Sequence, residues 1–231
     1  MAANFWTSSH YKQLLDQEEV DMVHPLDKEK GITLEDFKII KTQMTIYIGI
    51  LAQQVKVRQR VVATAVAYMR RVYTRCNSKA DALPRKQPVD FRPNDSDEKY
   101  RYEIKEIFEM EMKILEALNF YLVVFHPYRS LPQFLQDAGI NDINMTQLTW
   151  GLVNDTYKMD LILVHPPHII ALACIYIASV YREKDSTAWF EELRVDMNVV
   201  KNISMEMLYF YESHRLITEE RISAAFNKLK P

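Results

Sequence analysis

The sequence predicts an all-α protein, and three observations carry that prediction. Only four glycines occur in 231 residues, too few for a turn-punctuated β-protein or for glycine-rich phosphate loops. Apolar residues recur at three- and four-residue steps along most of the chain, the period of an amphipathic helix. Nowhere is the period-two alternation of a half-buried strand sustained.

The elements follow in order. Residues 4–15 form a short amphipathic segment carrying Phe5, Trp6, Tyr11, Leu14 and Leu15. After a polar joint with Pro25 and Gly31, Thr33 stands as an N-cap with Asp36 three residues on. The helix it opens has Phe37, Ile40, Met44, Ile48, Leu51 and Val55 on one stripe. A second helix over 57–75 turns Val61, Val62, Ala65, Val66, Met69, Val72 and Tyr73 inward. Then residues 76–97 break the pattern: Pro84, Pro88 and Pro93 arrive together, and only Leu83, Val89 and Phe91 are large and apolar. That stretch reads as irregular. Helix resumes over 96–120, with Ser96 as cap, Asp97 and Glu98 suiting the helix dipole, and a stripe of Ile104, Ile107, Phe108, Glu111, Leu115 and Leu118.

In the second half Pro127 can start a helix and Gly139 can end one. A helix over 144–164 follows. Residues 165–184 open on Pro166 and Pro167 and are apolar almost all round from Ile169 to Val180. A helix without a polar face is central and buried on every side. A short helix at "STAWFEEL", a long amphipathic one at "DMNVVKNISMEMLYFYESHRL", and a last helix capped by Thr218 complete the chain. The second half is thus a bundle around one apolar helix. The first half has similar amphipathic helices without such a centre, and the missing piece belongs at 76–97. The organisation reads as an N-terminal helix and joint over 1–32, a first bundle over 33–122 and a second, with the C-terminal helix, over 123–231, with the second half expected to fold by itself.

Composition narrows the function. Hydrophobic residues at 48% and charged residues at 26% describe a globular chain. A net charge of −2 does not mark a general nucleic-acid binder. Two distant cysteines, Cys76 and Cys174, fit a reducing compartment, and no apolar run is long enough to span a bilayer. Charge is uneven: residues 55–92 hold ten Lys/Arg against two Asp, and 93–120 hold eight Asp/Glu against four Lys/Arg. That contrast suits a protein partner, or two solvated helix faces. His165 and His168 flank two prolines with no further ligands to complete a metal set. Cys174 lies among apolar residues without a basic neighbour to activate it. No catalytic centre, metal or cofactor is expected.

Several segments are distinctive in this order: "NFWTSSHYKQLLD", "VKVRQRVVATAVAYMRRVYTR", "MEMKILEAL", "VVFHPYRSL", "VNDTYKMDLILVHPP", "IALACIYIAS" and "WFEELRVDMNVVKNI". Through them the chain resembles the cyclins, and among these the plant-like C-type. The resemblance implies two tandem cyclin-fold helical bundles, here with the first incomplete. It also implies a nuclear location and binding to the Mediator-associated cyclin-dependent kinase in transcription by RNA polymerase II. In the family the first box continues into a Pro-led helix ending in Ala-Ser-Lys-x-Glu-Glu, with one further helix after it. Both are replaced here, and neither Lys79 nor Lys86 sits in that pattern.

The resemblance also implies site residues. Glu111 occupies an apolar-stripe position, where a carboxylate is costly unless paired; the family reading makes it the partner of the missing lysine at the kinase. The alternative is that it leans to solvent at the helix edge. Leu115, Phe120 and Leu122 would be apolar kinase contacts, or plain core. Trp6, Trp150, Asn154 and Asp155 would frame a groove for another protein of the Mediator kinase module, or serve as a buried anchor and a helix hydrogen bond. Three functions stand: a non-enzymatic kinase regulator; a scaffold that has lost kinase activation but binds Mediator-type proteins through its second bundle; and a DNA-gripping cyclin-like repeat, supported only by the basic run 56–75. Direct nucleic-acid binding is the least expected.

Overall fold

A computed structural model describes residues 4–79 and 103–229, and all regular structure among them is helical. The N-terminal segment is two 3₁₀ turns, Phe5–Thr7 and Tyr11–Gln13, the first capped by the Asn4 side chain accepting from the Trp6 N–H at 3.1 Å. Two short helices follow, α1 (Gln17–Val20) and α2 (Pro25–Glu29). Helix α3 (Leu34–Gln54) opens on the expected capping box, with Thr33 and Asp36 each bonding the other's backbone N–H.

Helix α4 (Gln59–Lys79) runs further than the sequence suggested. Residues 76–79 are helical because neither proline nor glycine stands between Gln59 and Pro84. The rest of the irregular stretch, and the Ser96 cap, lie outside the described residues. Helix α5 (Ile104–Ala117) carries a capping box between Glu103 and Glu106. It stops short of Phe120, because Asn119 and Phe120 take positive φ of 51° and 58°; Asn tolerates that region and ends helices there.

A 3₁₀ turn at Pro127–Arg129 leads to α6 (Leu131–Asp137), ended by Gly139 at φ +61°. The helix predicted over 144–164 divides in three: α7 (Ile143–Asp155), a 3₁₀ turn at Thr156–Lys158, and α8 (Leu161–Val164). The break sets Asp160 at a corner. Helix α9 (Pro167–Tyr181) is the central helix foreseen from its all-round apolarity. It is surrounded by α6, α7, α8, the Pro127–Arg129 turn and α11 (Met197–Arg215), and its residues Ile170 to Ile175 are fully buried. Each large side chain among these contributes roughly 1.5–3 kcal/mol. Helix α10 (Thr187–Glu192) closes one side through Trp189 and Phe190.

Two features tie the halves together. Ala63, Val66 and Ala67 of α4 belong to the same buried cluster as α9, with Ile48 and Leu15 packed against it. The second bundle therefore shares its core with α4, which bears on the expectation that the second half folds by itself. The last helix, α12 (Glu219–Asn227), returns to pack on α3, where Ile222, Ala225 and Phe226 cover Ile39 and Ile40. Buried Asp36 holds it there, with Lys228 and Arg221 each at 2.7 Å.

Candidate functional site

Among the described residues, the buried apolar contacts of helix α5 lie at its C-terminal end. Leu118 is fully buried with Val72, and Ile114 and Ala117 pack beside them with Tyr68. Toward its N-terminus the apolar stripe faces outward: Ile104 is 71% exposed, Ile107 56%, Phe108 61% and Met112 51%. Glu111 is exposed as well. It is thus no buried carboxylate in search of a partner: contrary to the expectation from its stripe position, its charge stays in solvent. The sequence shows that the stripe is apolar. It cannot show that, among the described residues, nothing covers it.

The exposed surface continues past the helix. Phe120, Tyr121, Leu122 and Val123 are all exposed, on a segment fixed by the Tyr68 hydroxyl donating to the Leu122 carbonyl. Leu115 is half-buried. Leu115, Phe120 and Leu122 therefore lie on one helix and the strap directly after it, two of the three open to a partner.

A second constellation lies on α7. Trp150 and Asn154 are one turn apart on one face. The Tyr128 ring stacks on Trp150 at 5.5 Å and on Tyr157 at 5.8 Å, and its hydroxyl donates to Asn154 Oδ1 at 2.7 Å. Burial pushes the Tyr128 phenol up to about 12, so it stays a donor. Asp155 accepts from the Tyr211 hydroxyl at 2.9 Å and pairs with Lys158 at 2.8 Å. Tyr128 and Tyr211 were not singled out from sequence; the signal was their placement in "HPYRS" and "YFYES". Trp6 is 53% exposed and belongs to a different aromatic group, edge-on to Tyr11 at 5.1 Å and His168 at 5.3 Å. The described ring contacts and hydrogen bonds do not join it to Trp150, Asn154 or Asp155.

A buried ionic cluster, unforeseen from sequence, joins three elements behind these surfaces. Asp160 accepts from Lys41 of α3 at 2.6 Å and from Arg70 of α4 at 2.8 Å. Arg70 also donates to the Tyr157 carbonyl at 2.9 Å. Burial pushes the Asp160 carboxyl up, but Arg70 and Lys41 together outweigh it and hold it ionised. Burial pulls Lys41 below the usual lysine range, against the attraction of Asp160. The only available signals were a lysine inside an apolar stripe and an aspartate inside "KMDLILV".

Two histidines finish the joint. His10 accepts at Nδ1 from the Phe125 N–H at 3.0 Å and meets the Ile162 carbonyl with Nε2 at 3.3 Å. His126 bridges Thr64 Oγ1 at 2.9 Å and the Tyr157 hydroxyl at 2.6 Å. Of the basic side chains described in the run 56–75, Arg70 and Arg71 are buried, and Lys56, Arg58 and Arg60 are exposed. That removes much of the support for a DNA-gripping role. Cys174 is fully buried, and burial raises its thiol far above the ordinary range. Among the described residues no group of three or more His, Cys, Asp or Glu could hold a metal, and no helix is long and apolar enough to cross a membrane.

Comparison with known proteins places this arrangement. No family model matches the chain. It is similar to Cyclin-C1-2 of Arabidopsis thaliana, 64% identical over 249 aligned positions that cover 99% of this chain and 98% of the relative. Cyclin-C1-1 of Oryza sativa subsp. japonica is 59% identical over 99% of this chain and 98% of the relative. Cyclin-C of Rattus norvegicus is 34% identical over 100% and 91%. In fold the chain is similar to a chain in the cryo-EM structure of the yeast TFIIK (Kin28/Ccl1/Tfb3) complex, with TM-score 0.64 and 19% identity over 88% of this chain and 100% of that one. A chain in the crystal structure of the yeast RNA Pol II CTD kinase CTDK-1 complex gives TM-score 0.63 and 18% identity, covering 95% and 84%.

The fold defines the class first: an all-helical protein of two tandem bundles, with exposed apolar side chains on α5 and the strap after it. The chain belongs to the C-type cyclins. It is accordingly a non-catalytic regulator of a cyclin-dependent kinase. Its alignment with the Arabidopsis relative spans 249 positions against 231 residues here, so at least eighteen positions of the alignment have no residue in this chain.

Proposed function

We propose that the chain acts in the nucleus as the cyclin of the Mediator-associated kinase in RNA polymerase II transcription, and that it docks the kinase through α5 and the 120–123 strap. The observation that supports this is the exposure of Ile104, Phe108, Met112, Phe120 and Leu122 on α5 and the strap directly after it, on a chain closely similar to C-type cyclins. Exposed apolar patches of this kind mark interaction sites. The cyclin would hold the regulatory helix of the kinase so that the catalytic Lys–Glu pair forms, all phosphoryl transfer remaining in the kinase.

The chain should activate weakly. Glu111 stands without the lysine that the family pattern supplies, and two helices of the first box are replaced. A surface that must order itself on binding loses affinity. A tenfold loss needs only about 1.4 kcal/mol. Co-purification with the Mediator-associated kinase, followed by substrate phosphorylation beside a complete C-type cyclin, tests this. The expected result is detectable association with at least tenfold lower activity. Activity equal to the control and abolished by Glu111→Ala would overturn it.

A second reading keeps the scaffold role. It is favoured by the Trp150–Tyr128–Asn154 and Asp155–Tyr211 constellation, held on the complete second bundle. Such aromatic anchors beside fixed polar groups suit a protein partner, here another protein of the Mediator kinase module. Binding that survives Phe108→Asp and is lost with Trp150→Ala would favour it.

A further inference from the structure

The uneven charge of the sequence has a place in the fold. No Asp or Glu stands from Phe37 to Ala80, nor from Ala117 to Gln136. The described residues of these two stretches meet at the turn from α3 into α4. There the Gln59 side chain hydrogen-bonds Tyr128 and Thr64 Oγ1 meets His126 at 2.9 Å, which lays the Pro127–Arg129 turn against the start of α4. Lys56, Arg58, Arg60 and Arg129 are exposed, and Val57 and Val61 stand among them, 42% and 54% exposed. Among the described residues no ion pair engages Lys56, Arg58 or Arg60. The turn itself is fixed by its backbone. The Lys56 N–H donates to the Gln53 carbonyl at 3.2 Å, that of Val57 to Ala52 at 3.1 Å, and that of Val61 to Arg58 at 2.8 Å.

We propose that the α3–α4 turn is a docking surface for an acidic segment of a protein partner, one that carries apolar side chains among its carboxylates. Arginine takes a carboxylate through two parallel hydrogen bonds, so Arg58 and Arg60 fix the position of the segment. Its apolar side chains rest on Val57 and Val61, which selects it over a merely anionic chain. Complementary charge speeds the encounter and sets the register, and a preformed turn keeps the ordering cost low. A nucleic acid fits this surface less well. So small a group of cations neutralises few phosphates, and valine offers a base no ring to stack on. The surface shares no residue with the α5 face or with the Trp150 constellation, so it adds a contact beyond both proposed roles.

The test is fluorescence anisotropy on the full chain without the kinase, with a labelled peptide of Glu-Glu-Leu repeats as probe. Binding should saturate and weaken as salt rises. Arg58→Glu with Arg60→Glu should weaken it by about tenfold or more, and Val61→Asp should weaken it as well. All three positions are exposed, and circular dichroism should show unchanged helix content in each variant. Phe108→Asp, on the α5 face, should leave the affinity as it is, which keeps this outcome separate from the kinase reading. Peptides of Gln-Gln-Leu repeats and of Glu alone should both bind more weakly than the probe. The proposal is overturned by the absence of saturable binding, by full affinity in the double charge variant, or by equal binding of the Glu-only peptide. Tighter binding of a single-stranded oligonucleotide of the same charge would overturn it too.

Discussion

Asp160 sits between two cations that come from different helices, and it is the carboxylate that pairs directly with both. Removing its charge leaves Lys41 and Arg70 buried together without their direct ion-pair partner. Breaking such a cluster at one member costs about 3–5 kcal/mol. Asp160→Asn should therefore lower the urea midpoint by a large fraction of the whole stability, since domains carry only about 5–15 kcal/mol. An unchanged m-value would show that the compactness of both states is kept.

His10 and His126 make stability depend on pH at the same joint. Burial lowers both to about 4 from 6.5, with Arg71 adding to the effect on His10, and the His10 ring and Arg60 adding to it on His126. The folded state therefore prefers the neutral rings, while the unfolded chain takes up protons below 6.5. Their contribution is complete above pH 6.5 and is lost as pH falls toward 4. The loss should amount to a few kcal/mol in all. Unfolding midpoints measured at pH 7 and pH 5 should differ accordingly, and His126→Gln should flatten the slope.

At the scale of the element, α5 shows how one helix divides its labour. Its last turn belongs to the fold and its outer face does not. Leu118→Ala should cost about 2–5 kcal/mol, because it opens a cavity against Val72. Phe108→Ala should change stability by less than about 0.5 kcal/mol, since the ring is 61% exposed, and yet weaken association. Thermal unfolding of the two variants separates the effects. A large loss for Phe108→Ala would mean that its ring supports the fold after all.

At the scale of the whole molecule, the two halves share one core. Amides of Ala63 to Ala67 should exchange as slowly as those of α9, because both line the same buried cluster. The first turns of α5 should exchange much faster. A fragment spanning 124–231 should melt well below the full chain, for it exposes the face of α9 and its neighbours that α4 covers. A fragment as stable as the full chain would show that the α4 contacts add little.

The sequence by itself determined most of the helices, the Thr33 and Thr218 caps and the centre of the second bundle. These are local properties: hydrogen bonds close within four residues, Thr33 and Asp36 sit three apart, and the unbroken apolarity of Ile170 to Ile175 allows no exposed face. It also carried the family, through segments read in order. Only the tertiary structure decided which apolar stripes are covered. Phe37 and Leu118 are buried while Leu51, Val61 and Phe108 are exposed, although each lies on a stripe of the same kind. Covering depends on neighbours far along the chain. Lys41 and Asp160 are 119 residues apart, and Arg70 and Asp160 are 90 apart; Tyr128 reaches Asn154 only because a turn and two helices fold back. Periodicity tells a helix which side is apolar. It takes the packed chain to say whether that side meets the core or a partner.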